Sequence, residues 1–239
     1  MVSPRKLAAA AGLCYLVTHA ASIGGLVLYG PVLNNSGYVL GRGPDTRVLL
    51  GALSEVILAL AIIGTAVTLF PVARRHNEAL AAGYLGLRTL EASVIIVGVV
   101  SLLSVVTMRR HATHGPHPDA ALLAVDKALV AAHDWTFLIG PDFVCGANTV
   151  LMAYVMYRAG LVPRFIACLG LIGGPLIFAS AIAVLFGAYP QISVWGSLTA
   201  IPVFAWELSL AIWLLAKGFK PSPLTALPGA RTPAAAGRP

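Results

Sequence analysis

Four charged residues stand where the chain is otherwise apolar: Glu55, Arg88, Glu91 and Glu207. Arg88 and Glu91 are three residues apart and share a face if their stretch is helical. They are the charged residues of a run from Ala79 to Met108, which is long enough to cross a bilayer. A lone charge at the bilayer centre costs roughly 3 to over 10 kcal/mol, so it needs either partners or a job. Counting inward from the span ends at about 1.5 Å per residue puts all four residues in one central slab. Three carboxylates and one guanidinium cannot be neutralised in pairs. If all face the interior, at least one glutamate is expected to be protonated or to hold a cation or water. A carboxylate that can exchange a proton is what a proton-coupled carrier uses, and a static hydrogen-bonded core contains the same residue types. Both readings stay open.

A second polar set comprises His133, Asp134, Asp142 and Asn148. Asp142 directly follows Gly140-Pro141, and a proline leaves the carbonyl four residues earlier without its helical donor. A kink there would be polar or ligand-binding. His133 and Asp134 read as headgroup-region residues, and His19 as a hydrogen-bonding core residue. The different depths of His19 and His133 argue against a shared haem. His111, His114 and His117 have metal-like spacing but lie in a basic loop, where solvated histidines are the ordinary case. Cys14, Cys145 and Cys168 fall in apolar runs without CxxC spacing and read as small core residues. HExxH, GxSxG and GxxxxGK[ST] are absent, which argues against an ATPase and selects no nucleophile. No catalytic residue, metal site or cofactor is expected.

These residues must be positioned by membrane spans. Of 239 residues, 58% are hydrophobic and only 10% charged, against about 25% charged in a soluble domain. Mean hydropathy is +0.86. The expected fold is all-α, an integral membrane bundle of six transmembrane helices over residues 1–220. The spans are at about 7–29, 48–70, 79–108, 135–157, 164–187 and 193–216, the second ending at Pro71. Residues 119–133 read either as an interfacial helix or as an extended start of the fourth span. Residues 221–239, rich in Pro and Ala, are expected to be a disordered cytoplasmic tail. The first run is too long for a cleaved signal core and is expected to be retained. Small residues recur within the spans, at Gly24-Gly25, Ala82 with Gly86, and Gly170 with Gly174, and read as helix-packing positions.

With the N-terminus inside, ten Lys and Arg fall on the cytoplasmic side, five on the other, and the sixteenth is Arg88. That bias favours both termini in the cytoplasm. The net charge of +7 sits mainly in loops and tails, which suits membrane lipids as partners and not nucleic acid. Homo-oligomer formation is compatible with the sequence, and a small-molecule substrate is unspecified.

Arg5-Lys6-Leu7-Ala8 leading to Gly12-Leu13-Cys14-Tyr15-Leu16 is one of four blocks that recur in order. The others are Gly83-Tyr84 to Arg88-Thr89-Leu90-Glu91, Gly160-Leu161-Val162-Pro163-Arg164, and Trp206-Glu207-Leu208 to Lys217-Gly218-Phe219. Together they resemble an uncharacterised bacterial family of multi-pass membrane proteins, domain of unknown function 4386. The resemblance implies an integral protein of the bacterial plasma membrane and brings no catalytic residue. Three functions follow as expectations: a small proton-coupled carrier with a central Glu/Arg site, a non-transporting scaffold or partner subunit, and an intramembrane enzyme acting on a lipid or quinone.

Overall fold

The computed structural model describes residues 3–41, 43–112 and 120–221. Arg42, His114, His117 and the tail beyond residue 221 lie outside the described residues. Among the described residues, six helices are long and apolar enough to cross a membrane. They are α1 (Pro4–Leu28), α2 (Thr46–Ala73), α3 (Glu78–His111), α4 (Ala120–Ala159), α5 (Arg164–Leu185) and α6 (Val194–Ala216). Helices suit hydrocarbon because their backbone polar groups are satisfied within the segment. Each packs on the next in chain order, and α6 closes on α1, so the bundle is a ring. The two described termini meet at one end, where Arg5 Nη1 donates to the Leu214 carbonyl at 2.9 Å and Nη2 to that of Leu215 at 2.6 Å. That end is called the terminal end below, and the opposite one the far end.

Local chemistry sets the helix limits. The Ser3 side chain accepts from the Lys6 N–H, with Pro4 opening α1. Asn77 caps α3 and Ser193 caps α6 in the same way. Gly160, at φ 64°, ends α4 in the left-handed region that glycine occupies without strain. Two boundaries differ from the sequence expectation. Helix α2 passes through Pro71 to Ala73, because the proline costs one donor near the helix end and the Arg74 N–H still reaches the Phe70 carbonyl at 3.0 Å. Helix α4 is continuous from Ala120, so residues 120–133 are the start of the fourth span. Asp126 and His133, two turns apart, are its buried residues up to Phe137. At Gly140-Pro141 the helix widens into a π segment over Leu138–Val144. Such widenings accommodate an extra residue in a turn.

Among the described residues, the two larger of four apolar clusters lie toward opposite ends of the bundle. Tyr15, Leu69, Met152, Ile166, Trp206 and Leu210 belong to the terminal-end core. Tyr29, Val39, Val48, Leu102 and Val106 belong to the far-end core. Glycines bring the helices together. A Cβ on Gly12 would stand 2.8 Å from the Ala211 carbonyl, and one on Gly173 would stand 2.7 Å from the Val203 nitrogen. Gly146 and Gly174 meet across α4 and α5, each with the other's carbonyl within 2.8 Å of a would-be Cβ. Gly86 instead borders open space.

The α1–α2 connection is anchored at the far end. Asp45 accepts from Arg109 Nη1 at 2.5 Å, Arg110 Nε at 2.9 Å and the Tyr38 hydroxyl at 2.9 Å. Arg109 also donates to the Gly41 carbonyl and lies over the Tyr38 ring at 4.2 Å. Burial pushes the Asp45 carboxyl up, but the donors from Arg110, Tyr38 and Arg109 outweigh it and hold the group below its ordinary range.

Candidate functional site: a central acidic cavity

Helix α3 presents Tyr84, Arg88 and Glu91 on one face, at i, i+4 and i+7. Arg88 is 2% exposed. Its Nε donates to the Tyr84 hydroxyl at 3.2 Å, Nη1 to Glu91 Oε2 at 3.3 Å, and Nη2 to Glu207 Oε1 at 2.5 Å and the Tyr15 hydroxyl at 3.4 Å. The two tyrosine hydroxyls are 2.9 Å apart. The guanidinium carbon lies 5.4 and 5.6 Å from the Tyr15 and Tyr84 ring centres. From α4, Asn148 Nδ2 donates to Glu91 Oε2 at 2.7 Å. Residues from α1, α3 and α6 therefore meet at one guanidinium whose three nitrogens all donate, and α4 joins them through Asn148 on Glu91. Fully buried Trp206 precedes Glu207 in the sequence and belongs to the terminal-end core.

This cluster borders a cavity of about 240 Å³. Glu55, Arg88, Glu91, His133, Asp142 and Glu207 are its ionisable acidic and basic lining residues apart from His19. Leu58, Ile62, Ile95, Ile177, Val203 and Phe204 supply much of the apolar wall. On the far side, Glu55 Oε1 stands 3.9 Å from His133 Nε2, and His133 Nδ1 stands 3.6 Å from Asp134 Oδ1. The His133 ring is edge-on to Tyr29, with centres 5.5 Å apart. Glu55 has room because Gly25 faces it; a Cβ there would be 3.0 Å from Glu55 Cγ. Asp142 Oδ2 accepts from Gln191 Nε2 at 2.7 Å, which ties the π segment to the α5–α6 connection.

A second chamber of about 350 Å³ opens at the far end, where Asn34, Asp134, Trp135 and Gln191 are among its lining residues. Glu55, His133 and Phe137 line both chambers and stand between them. On the α1–α6 side, His19 and Phe204 meet edge-on with ring centres 4.6 Å apart. His19 Nδ1 lies 2.8 Å from the Tyr15 carbonyl.

The structure thus divides the residues singled out by type and depth along a different line. Arg88, Glu91 and Glu207 come together and take in Asn148 from the second set. Glu55 stands apart from Arg88, opposite His133. Asp134 lines the far-end chamber, and Asp142 lines the central one. All except Asp134 and Asn148 line the central cavity. Gly25, read as a helix-packing position, also makes room for Glu55. Tyr15, Tyr84 and Gln191 were missed by sequence reasoning. The i, i+4 relation of Tyr84 to Arg88 was the available signal for one of them; the others have no local one. Among the described residues no group of three or more His, Cys, Asp or Glu could hold a metal ion. Four carboxylates face one guanidinium and two imidazoles around this cavity, an arrangement able to retain protons or a cationic group.

The fold and site together define a multi-pass helical membrane protein with an internal acidic cavity. Residues 10–218 match the family model described as Domain of unknown function (DUF4386), and the chain belongs to that family. No curated protein and no solved structure matches the chain.

Proposed function

We propose that this chain is a small proton-coupled carrier of a bacterial plasma membrane, with both termini in the cytoplasm and its central site built on Glu55, Arg88, Glu91 and Glu207. The observation that carries the reading is the cavity lined by all four, which shares Glu55, His133 and Phe137 with the far-end chamber. Arg88 anchors Glu91 and Glu207, while Glu55 keeps a longer, 3.9 Å relation to His133 and serves as the exchanging acid. The lysine and arginine distribution along the chain supports the orientation. The closed hydrogen-bond set around Arg88 favours a second reading, a non-transporting scaffold or partner subunit in which the cluster is structural.

The test is proton flux in liposomes under an imposed pH gradient, with amines, organic acids and organic cations offered in turn. A carrier gives substrate-dependent flux in the wild type that is lost in folded Glu55→Gln or Glu91→Gln protein. Flux with no substrate, or flux unchanged in both variants, overturns the carrier reading and leaves the scaffold.

A further inference from the structure

We propose that the ligand of the central cavity is a monovalent organic cation with an apolar body. The inference rests on the carrier reading for its site, and extends it to the chemistry that the site selects. Arg88 is the arginine of the cavity, and its ion pairs are with Glu91 and Glu207. Glu55 and Asp142 also line the cavity, and neither pairs with Arg88. Glu55 leaves only 9% of its side chain exposed, and its ionic partner His133 is farther than hydrogen-bond distance. Asp142 is met by an uncharged amide, Gln191. A carboxylate withdrawn from water and left without a full counter-charge attracts a cation.

The rest of the lining says what kind of cation. Four carboxylates around the cavity oppose an anionic ligand, and the three nitrogens of Arg88 already donate within the protein. A bare metal ion would need converging oxygen or nitrogen ligands, and among the described residues no such group of three exists. The walls next to Glu55 and Asp142 are hydrocarbon and aromatic, with Ile177, Val203, Phe137 and Phe204 among the lining residues. Such walls solvate an apolar body, and aromatic rings in a lining suit a quaternary or protonated nitrogen. A volume of about 240 Å³ holds a ligand of small-metabolite size. Because Glu55 and His133 line both chambers, a cation arriving from the far end meets the Glu55 carboxylate on its way in. Its charge can then take the place of a proton there.

The experiment is equilibrium binding to the full chain in nanodiscs by calorimetry, with three ligands of matched shape. Benzyltrimethylammonium carries a permanent positive charge, neopentylbenzene is its uncharged isostere, and phenylacetate is an anion of similar size. The expected result is that benzyltrimethylammonium binds tighter than about 1 mM and at least about tenfold tighter than either comparison ligand. Glu55→Gln and Asp142→Asn each weaken it several-fold, while Glu78→Gln, an exposed carboxylate at the terminal end, leaves it unchanged. Binding of phenylacetate or neopentylbenzene as tight as the cation overturns the inference, as does failure of the wild type to bind the cation. These wild-type comparisons decide the matter even if a variant fails to fold. Cation binding without proton flux would remove the carrier reading and leave this inference standing. Proton flux driven by phenylacetate would do the reverse.

Discussion

Two regions of this bundle hold a buried glutamate near the middle of the membrane, and they treat it differently. At the Arg88 cluster, Glu91 and Glu207 are tied to a guanidinium that α1, α3 and α6 converge on, with α4 bound to Glu91 through Asn148. At the Glu55 wall the carboxylate faces an imidazole at 3.9 Å and the space between two chambers. The first arrangement fixes helices against one another. The second leaves a charged group with room to change partner. The difference is in coordination, not in residue type, and the largest expected mutational effects follow it.

Removing the cation should do the most damage. Arg88→Ala leaves two acids buried and unpaired, a change worth about 3–5 kcal/mol. It should abolish accumulation of monodisperse protein, measured by size-exclusion yield, while Glu91→Gln accumulates. Equal, wild-type yields of the two variants would break the comparison. Next comes helix spacing: Gly173→Ala places a Cβ 2.7 Å from the backbone nitrogen of Val203. The expected cost is about 1–3 kcal/mol, read as a lower unfolding temperature in detergent.

The far-end anchor should matter somewhat less. Asp45→Asn removes charge-assisted bonds from Arg109 and Arg110 and should cost about 2 kcal/mol. Since the folded Asp45 carboxyl is held below its ordinary range, its contribution is complete above about pH 4 and is lost as pH falls through the depressed value. A thermal-unfolding series from pH 7 to pH 3 should therefore show the wild type and Asp45→Asn converging at the acid end. The smallest stability effect belongs to Glu55→Gln, under about 1 kcal/mol, because the side chain has no close ionic bond to lose. The same variant should lose proton flux entirely. A Glu55→Gln protein as unstable as Arg88→Ala would show that both regions are structural.

How much of this was legible depends on which coordinate the sequence encodes. Apolar length gives the spans, and six of them exist as helices. Rise per residue gives depth, so Arg88, Glu91 and Glu207 could be placed at one level. Depth carries no azimuth, and Glu55, at a comparable height, turns out to stand beside α4 instead of Arg88. The link from Asn148 to Glu91 was hidden for a related reason. Asn148 lies beyond the π segment, where counting at 3.6 residues per turn loses the face. Tyr15 and Tyr84 sit in apolar spans, where an aromatic ring reads as packing; their hydroxyls gain meaning only once a guanidinium is beside them. Gln191 reaches Asp142 across 49 residues of chain, and no periodicity signals a link of that span.

The bond from Arg88 to Glu207 joins residues 119 positions apart, on the third and the last helix of the ring. A ribosome adding about 5–20 residues per second needs roughly ten seconds to make that stretch. Throughout that interval the nascent chain carries a membrane-depth cation whose second acid does not yet exist. Tyr84 and Glu91, one turn to either side on the same helix, are the partners available from the moment of insertion, and Tyr15 is already present on α1. The tyrosine pair and the neighbouring glutamate therefore act as temporary shelter during synthesis, and the arrival of α6 completes the circuit.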